Sequence, residues 1–183
     1  MTERPLTNFE QVLLGMLVTQ PRSGYELKKL FTATPATVYQ PSAGALYPAL
    51  RRLQRRGLLR VEATVSVGRR RRRVWHPTDA GRAAHLAWVR QPVQRDTVGA
   101  DLGLHLMRFS MMERQVPAAE VRGFLTSLID ALDRFVKDME DFVASAGPRL
   151  PGRHPLLALR HGIVTHRASL EWARSALAEL DDH

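Results

Sequence analysis

Four arginines, Arg51, Arg52, Arg55 and Arg56, and an unbroken run of five, Arg69 to Arg73, carry the clearest chemistry in this sequence. A guanidinium is planar, permanently charged, and presents a fork of donors that matches two oxygens of one phosphate. The first group closes the stretch Ser42 to Gly57. At about 100° per residue, Leu46, Leu50 and Leu53 share one side of a helix, while Gly44, Pro48, Arg51 and Arg55 lie roughly opposite, flanked by Arg52 and Arg56. The outer face is thus small over its first turns and cationic over its last. Such a helix can bring its opening turns against base edges in a major groove and hold phosphates with the later ones. A solvated surface is the bland alternative, but the second basic run just behind the helix favours phosphate contact.

The charge distribution has the same bias. Formal net charge is +9 over 183 residues, but residues 1–95 hold 17 Lys+Arg against 5 Asp+Glu, a net of +12, and residues 96–183 hold 10 against 13, a net of −3. A basic front half joined to a mildly acidic rear half suits a polyanion-binding module with a second domain of another purpose. The chain has no cysteine, which excludes disulfides, thiolate metal sites and thiol catalysis together. No segment is apolar enough to span a bilayer, and Met1 to Pro5 carries no secretory signature, so a cytoplasmic protein with no membrane partner is expected.

The elements that must position the arginines can be read around them. Phe9, Val12, Leu13, Met16 and Leu17 predict a first helix from Thr7 or Asn8 to Gln20, stopped by Pro21. Ser23 and Glu26 form a capping-box pattern ahead of a second helix with Leu27, Leu30 and Phe31 on its buried side. Ser42 caps the third, and Pro48 inside it predicts a bend in its opening turns. Beyond Gly57 the period becomes two: Leu59, Val61, Ala63, Val65 and Val67 alternate with polar residues, Gly68 breaks the strand, Arg69 to Arg73 form a tip, and Val74 to Pro77 return. Thr78 caps a fourth helix that ends by Pro92. The expected fold is mainly α: a winged helix-turn-helix with a two-stranded β wing, residues 1–93, followed by a helical domain, residues 94–183.

That rear domain carries two heptad-like seams. One runs Val121, Leu125, Leu128, Leu132, Phe135, Met139 and Phe142; the other runs Leu156, Leu159, Ile163, His166, Leu170, Ala173, Leu177 and Leu180. The second is the candidate dimer interface, with a hairpin inside the chain as the alternative. A helix over Asp101 to Met112, apolar on almost every side, is expected to be buried on almost every side. Met107, Phe109, Met111 and Trp172 are a candidate effector pocket, although such a cluster also suits a core.

The front half resembles the PadR-type transcriptional regulators. The similarity lies in Pro21 to Leu27, in Ser42 to Leu58 with its Leu46-Tyr47-Pro48 triplet and closing Gly57-Leu58, and in the basic wing leading to Thr78-Asp-Ala-Gly81, covering roughly residues 9–85. Trp75 stands where tyrosine is usual, and the wing is unusually rich in arginine. The resemblance implies a homodimeric winged-helix repressor of a palindromic operator, released by a small molecule.

The expected DNA-binding residues are Ser42, Gly44, Tyr47, Arg51, Arg52, Arg55, Arg69, Arg70, Arg71 and Arg72, and the expected partners are double-stranded DNA, a second copy and a candidate small-molecule effector. No catalytic motif is present, His161 and His166 are five apart rather than four, and neither enzyme activity, metal nor cofactor is expected. The competing reading is a winged-helix protein-interaction module or a nonspecific nucleic-acid binder.

Overall fold

The computed structural model of the chain describes residues 4–33, 43–65 and 71–181, which divide into two compact units: Met1–Val89 with Ser110–Gln115, and Arg90–Phe109 with Val116–His183.

In the first unit, α1 (Asn8–Thr19) starts on a reciprocal cap. The Glu10 amide donates to Thr7 Oγ1 (3.2 Å), and the Thr7 amide donates to Glu10 Oε2 (2.9 Å). The Ser23–Glu26 box opens α2 (Gly24–Ala33) in the same way, with the Ser23 amide donating to Glu26 Oε2 at 2.8 Å. The third helix, α3 (Ala43–Arg55), is a single helix through Pro48. It ends at Gly57, whose φ of 69° turns the chain so that the Gly57 amide donates to Gln54 O and the Leu58 amide to Leu53 O. Val12, Leu13, Leu14 and Leu17 of α1 meet Leu27 and Phe31 of α2 and Leu46, Leu50 and Leu53 of α3 in one buried core.

Among the described residues the expected two-stranded wing is joined by a third, short strand. β1 (Arg22–Ser23), β2 (Leu59–Val65) and β3 (Arg71–Pro77) are antiparallel in the order β1-β3-β2. Arg22 lies opposite Trp75 and Ser23 opposite Val74, so the residues that cap α2 also anchor the wing. A strand of two residues has no alternation to read. The arginine run also differs from expectation: Arg71, Arg72 and Arg73 are paired with Val65, Thr64 and Ala63, and belong to the wing's second strand rather than to its tip.

The exit from the wing is tightly built. Thr78 Oγ1 accepts from the Gly81 amide (3.1 Å) and donates to Gly57 O (2.6 Å), while the Thr78 amide donates to Leu58 O. One hydroxyl thereby caps α4 (Asp79–Val89) and ties it to the end of α3. A Cβ at Gly81 would fall far inside contact distance of the Leu58 carbonyl oxygen, so only glycine fits where α4 crosses that loop. Gly15 of α1 has a similar position: a Cβ there would lie 2.5 Å from Met111 Sδ and 2.8 Å from His85 Cε1.

In the second unit a short 3-10 turn (Arg95–Thr97) leads into α5 (Val98–Met112), whose last residues belong with the first unit. This helix begins earlier than expected and breaks helical geometry at Asp101 (φ −114°, ψ 17°). It is also less enclosed than its composition suggests, because Leu106 is exposed while Leu104, Met111 and Met112 are buried.

The two long helices, α6 (Ala118–Ala146) and α7 (Arg153–Asp181), form an antiparallel hairpin. Asp133 pairs with Arg174, the Phe135 and His166 rings meet at a tilt of 51° with centroids 4.8 Å apart, Met139 lies over Gly162, and Leu156 reaches Gly147. Among the described residues no helix is long and apolar enough to cross a membrane.

Candidate nucleic-acid interface

α3 divides as its spacing requires. Leu46, Ala49, Leu50 and Leu53 are fully buried, and Gly44, Ala45, Tyr47, Pro48, Arg51, Gln54 and Arg55 are exposed. Burying three leucines fixes the roll of the helix, since rotating any of them into water would cost about 1.5–3 kcal/mol each. The outward face therefore consists of small residues and arginines by default. Tyr47 sits at its edge: the ring lies where a Cβ on Gly24 would be (Cε1 at 2.6 Å, the hydroxyl at 3.0 Å), yet 42% of the residue remains exposed. Its ring packs on the start of α2.

Arg52 departs from the expected clamp. Its Nε donates to Glu10 Oε1 at 2.6 Å, across to the first turn of α1. Glu10 is only 3% exposed. Burial alone would raise its carboxyl pKa, but the Thr7 amide and the Arg52 guanidinium together outweigh that, and the net shift is downward. Arg52 is therefore a structural partner as well as a surface cation. Sequence spacing could not show this, since the two residues are 42 apart. The signal was a glutamate at a helix N3 position with a threonine cap, which explains one carboxylate oxygen and leaves the other for a partner.

Of the remaining expected contacts, Arg51 and Arg55 project from the exposed face, and Arg71 and Arg72 lie on β3 beside exposed Arg73. Ser42, Arg69 and Arg70 fall outside the described residues. Arg60 is tied to Glu62 on the same strand. The structure thus places α3 and an arginine-bearing strand in one unit, connected through a tight Gly57 turn.

The second unit places the other expected sites differently. Phe109 and Trp172 do come together, edge to face with centroids 5.5 Å apart, and line a groove of about 380 Å³ with Leu106, Ala168 and Ser169. Met111 is not part of it, since it packs over Gly15 in the first unit, and Met107 is absent from the lining. The seam of Leu156, Leu159, Ile163, His166, Leu170, Ala173, Leu177 and Leu180 faces α6. Ile163, Leu170 and Ala173 are buried within one chain, His166 packs against the Phe135 ring, and Leu156, Leu159, Leu177 and Leu180 are half-buried. The intrachain hairpin is the arrangement observed for that seam. What α7 leaves exposed is a different set, Leu157 (49%), Val164 (64%) and Trp172 (40%).

A polar cluster that sequence reading missed lies at the start of this unit. The Thr97 hydroxyl donates to Gln94 O (2.7 Å), so it accepts from His105 Nε2 (2.8 Å), and His105 Nδ1 then accepts from Arg108 Nη1 (3.2 Å). Arg108 also donates to Gln91 O and lies over the Phe124 ring. Burial, reinforced by the Arg108 charge, pushes His105 down to about 4, and burial lowers Arg108 to about 10. The imidazole is neutral and bridges the Arg95–Thr97 turn to α5.

Residues 13–86 match the transcriptional regulator PadR-like family. The match covers less than half of the chain. It runs from Leu13 in α1 to Leu86 in α4, and so contains α3, the sheet and the Gly81 crossing, but none of α5 to α7. Over 172 residues the chain is 22% identical to the probable transcriptional regulator Rv1176c of Mycobacterium tuberculosis, covering 87% of this chain and 90% of that protein. Among solved structures it is similar to Bacillus subtilis PadR in complex with operator DNA, at 17% identity, 97% and 99% coverage and a TM-score of 0.46. It is also similar to the PadR-like transcriptional regulator BC1756 of Bacillus cereus, at 22% identity, 98% and 99% coverage and a TM-score of 0.43.

Proposed function

We propose that this chain is a sequence-specific DNA-binding transcriptional regulator, working as a homodimeric repressor on a palindromic operator. The observation that carries this reading is the split face of α3: three leucines lock its roll, and Gly44, Tyr47, Arg51 and Arg55 are left outward in a unit of strongly positive charge. The small opening turns approach base edges, the arginines meet phosphates, and the β2–β3 wing grips the flanking backbone. Two copies reading a dyad would hold their α3 helices about 34–36 Å apart, one turn of DNA. Because the α7 seam is occupied by α6, the pairing surface in this reading is the uncovered side of α7 with Leu157, Val164 and Trp172. The neighbouring groove of Leu106, Phe109 and Trp172 would take a small apolar or aromatic effector, and an effector that favours one spacing of the two α3 helices would change operator affinity.

The test is affinity for the duplex upstream of the chain's own coding region against a scrambled duplex of equal composition, at two salt concentrations. A regulator binds its own sequence at least a hundredfold more tightly. Equal binding would mark a nonspecific reader, and no binding a protein-interaction module.

A further inference from the structure

The chain that leads from α4 into α5 is fastened at nearly every step. Arg90 makes a two-bonded pair with Glu120 of α6 (Nε to Oε2 2.7 Å, Nη2 to Oε1 3.2 Å), and the Gln91 carbonyl accepts from Arg108 of α5. The Val93 amide donates to Ser127 Oγ of α6 at 3.0 Å, and Arg95 Nε donates to Asp138 of α6 at 2.8 Å. His105 of α5 then donates to the Thr97 hydroxyl. Val93 is 6% exposed and Val98 is fully buried, so two apolar pegs seat the same segment. All of these groups belong to the helical unit, and the segment is stitched to both α5 and α6.

Its length makes this strap taut. Glu120 and Asp138 stand about 27 Å apart along α6 at 1.5 Å per residue. The extended chain from Arg90 to Arg95 reaches only about 16–18 Å. The two arginine side chains span the rest, and no loop is left to give way. Ser127 is the central pin. Its hydroxyl donates to Phe124 O at 2.8 Å inside α6, which leaves its lone pairs for the Val93 amide. A serine within a helix stabilises it less than alanine would, so what Ser127 adds here is its hold on the strap.

We infer that Ser127 is a positioning residue for operator recognition: by pinning the strap it removes the slack that would let a dimer settle on dyads of different spacing. The inference rests on the proposed function. In that reading two copies present their α3 helices one DNA turn apart, and one inserted base pair turns a half-site by about 35° around the DNA axis. A flexible linker would absorb that turn, whereas a strap without slack passes it on as lost affinity.

The experiment uses the full chain and the variants Ser127→Ala and Ser127→Thr. The dyad is located by footprinting on the upstream duplex, then rebuilt with base pairs inserted at its centre, and as an isolated half-site. Hydrogen exchange at the Val93 amide is followed without DNA. Ser127→Ala speeds that exchange and shrinks the affinity penalty of an inserted base pair by about two- to tenfold, the worth of one hydrogen bond, with half-site affinity unchanged. Ser127→Thr keeps the hydroxyl and restores both.

If Ser127→Ala melts far below the parent, the double variant Arg90→Ala, Arg95→Ala, which frees the two exposed ends of the strap, is read for the same flattening. Equal loss at every spacing, half-site included, makes the role a structural one and overturns the inference, as does an unchanged penalty. A parent that binds its dyad equally well at every spacing overturns it while leaving the proposed function standing. Failure of every form to bind any duplex removes the function, and this role with it.

Discussion

The winged and helical units are both held by arginine–carboxylate pairs, but the pairs do different work. In the winged unit Arg52 reaches a carboxylate that is 3% exposed and that also caps α1. In the helical unit Arg90–Glu120, Arg95–Asp138, Arg167–Glu140 and Arg174–Asp133 lie along the surface, with Asp138, for example, 51% exposed. A buried acceptor makes one pair a fixed part of the architecture, whereas exposed pairs exchange with water at little cost. The same contrast holds for charge. In the winged unit Arg51 and Arg55 are exposed on α3, and in the helical unit Arg90, Arg95, Arg167 and Arg174 lie on that unit's own acids.

Acid should act on both units. His85, buried beside Gly15 at the α1–α4 crossing, is pushed down to about 4 by burial, with the Met111 backbone opposing only in part, and His105 is held at about 4 by burial and Arg108. Each is neutral in the folded chain, while an unfolded chain takes up the proton near 6.5. Stability is therefore flat above pH 6.5 and falls as pH drops from 6.5 toward 4, by about 3 kcal/mol for each histidine. Denaturant melts across that range check this, and His85→Leu should remove its share of the slope; a slope unchanged by both His85→Leu and His105→Leu would contradict the assignment.

The next largest contrast comes from one substitution made in each unit. Gly81→Ala drives a methyl into the Leu58 carbonyl and should cost about 2–3 kcal/mol, loosening α4 from the base of the wing. Gly123→Ala on α6 meets nothing within 4 Å and should stabilise by about 0.5–1 kcal/mol. Melting both variants beside the parent tests the pair, and a tolerated Gly81→Ala would mean the crossing is not as close as described. The ion pairs give a third comparison: Arg52→Ala should cost about 1–3 kcal/mol by stranding Glu10, and Arg95→Ala less than about 1. Equal losses would remove the distinction drawn between the two units.

Much of this was visible in sequence because it is local. Leu46, Leu50 and Leu53 give the roll of α3, Ser23 and Glu26 give the start of α2, and the alternation after Gly57 gives β2, each within a few residues. What stayed hidden depends on a distant partner. The β1 strand is two residues long and exists only because β3 comes alongside it. Arg71 to Arg73 look like a solvated loop until Ala63, Thr64 and Val65 are seen opposite them. Glu10 and Arg52 are ordinary on their own helices and meet only in the fold. The α7 heptads announce a seam but cannot say whose helix fills it, because α6 and a second copy present the same apolar spacing.

The central claim is that the outward face of α3 engages DNA with its arginines on phosphates. Arg55→Ala measured against the unmodified chain on the same upstream duplex, over a salt series, tests it most directly. The account predicts weaker binding to specific and scrambled duplexes alike, and a salt slope lower by about one unit. A change in base preference with the slope intact, or no change at all, would contradict it.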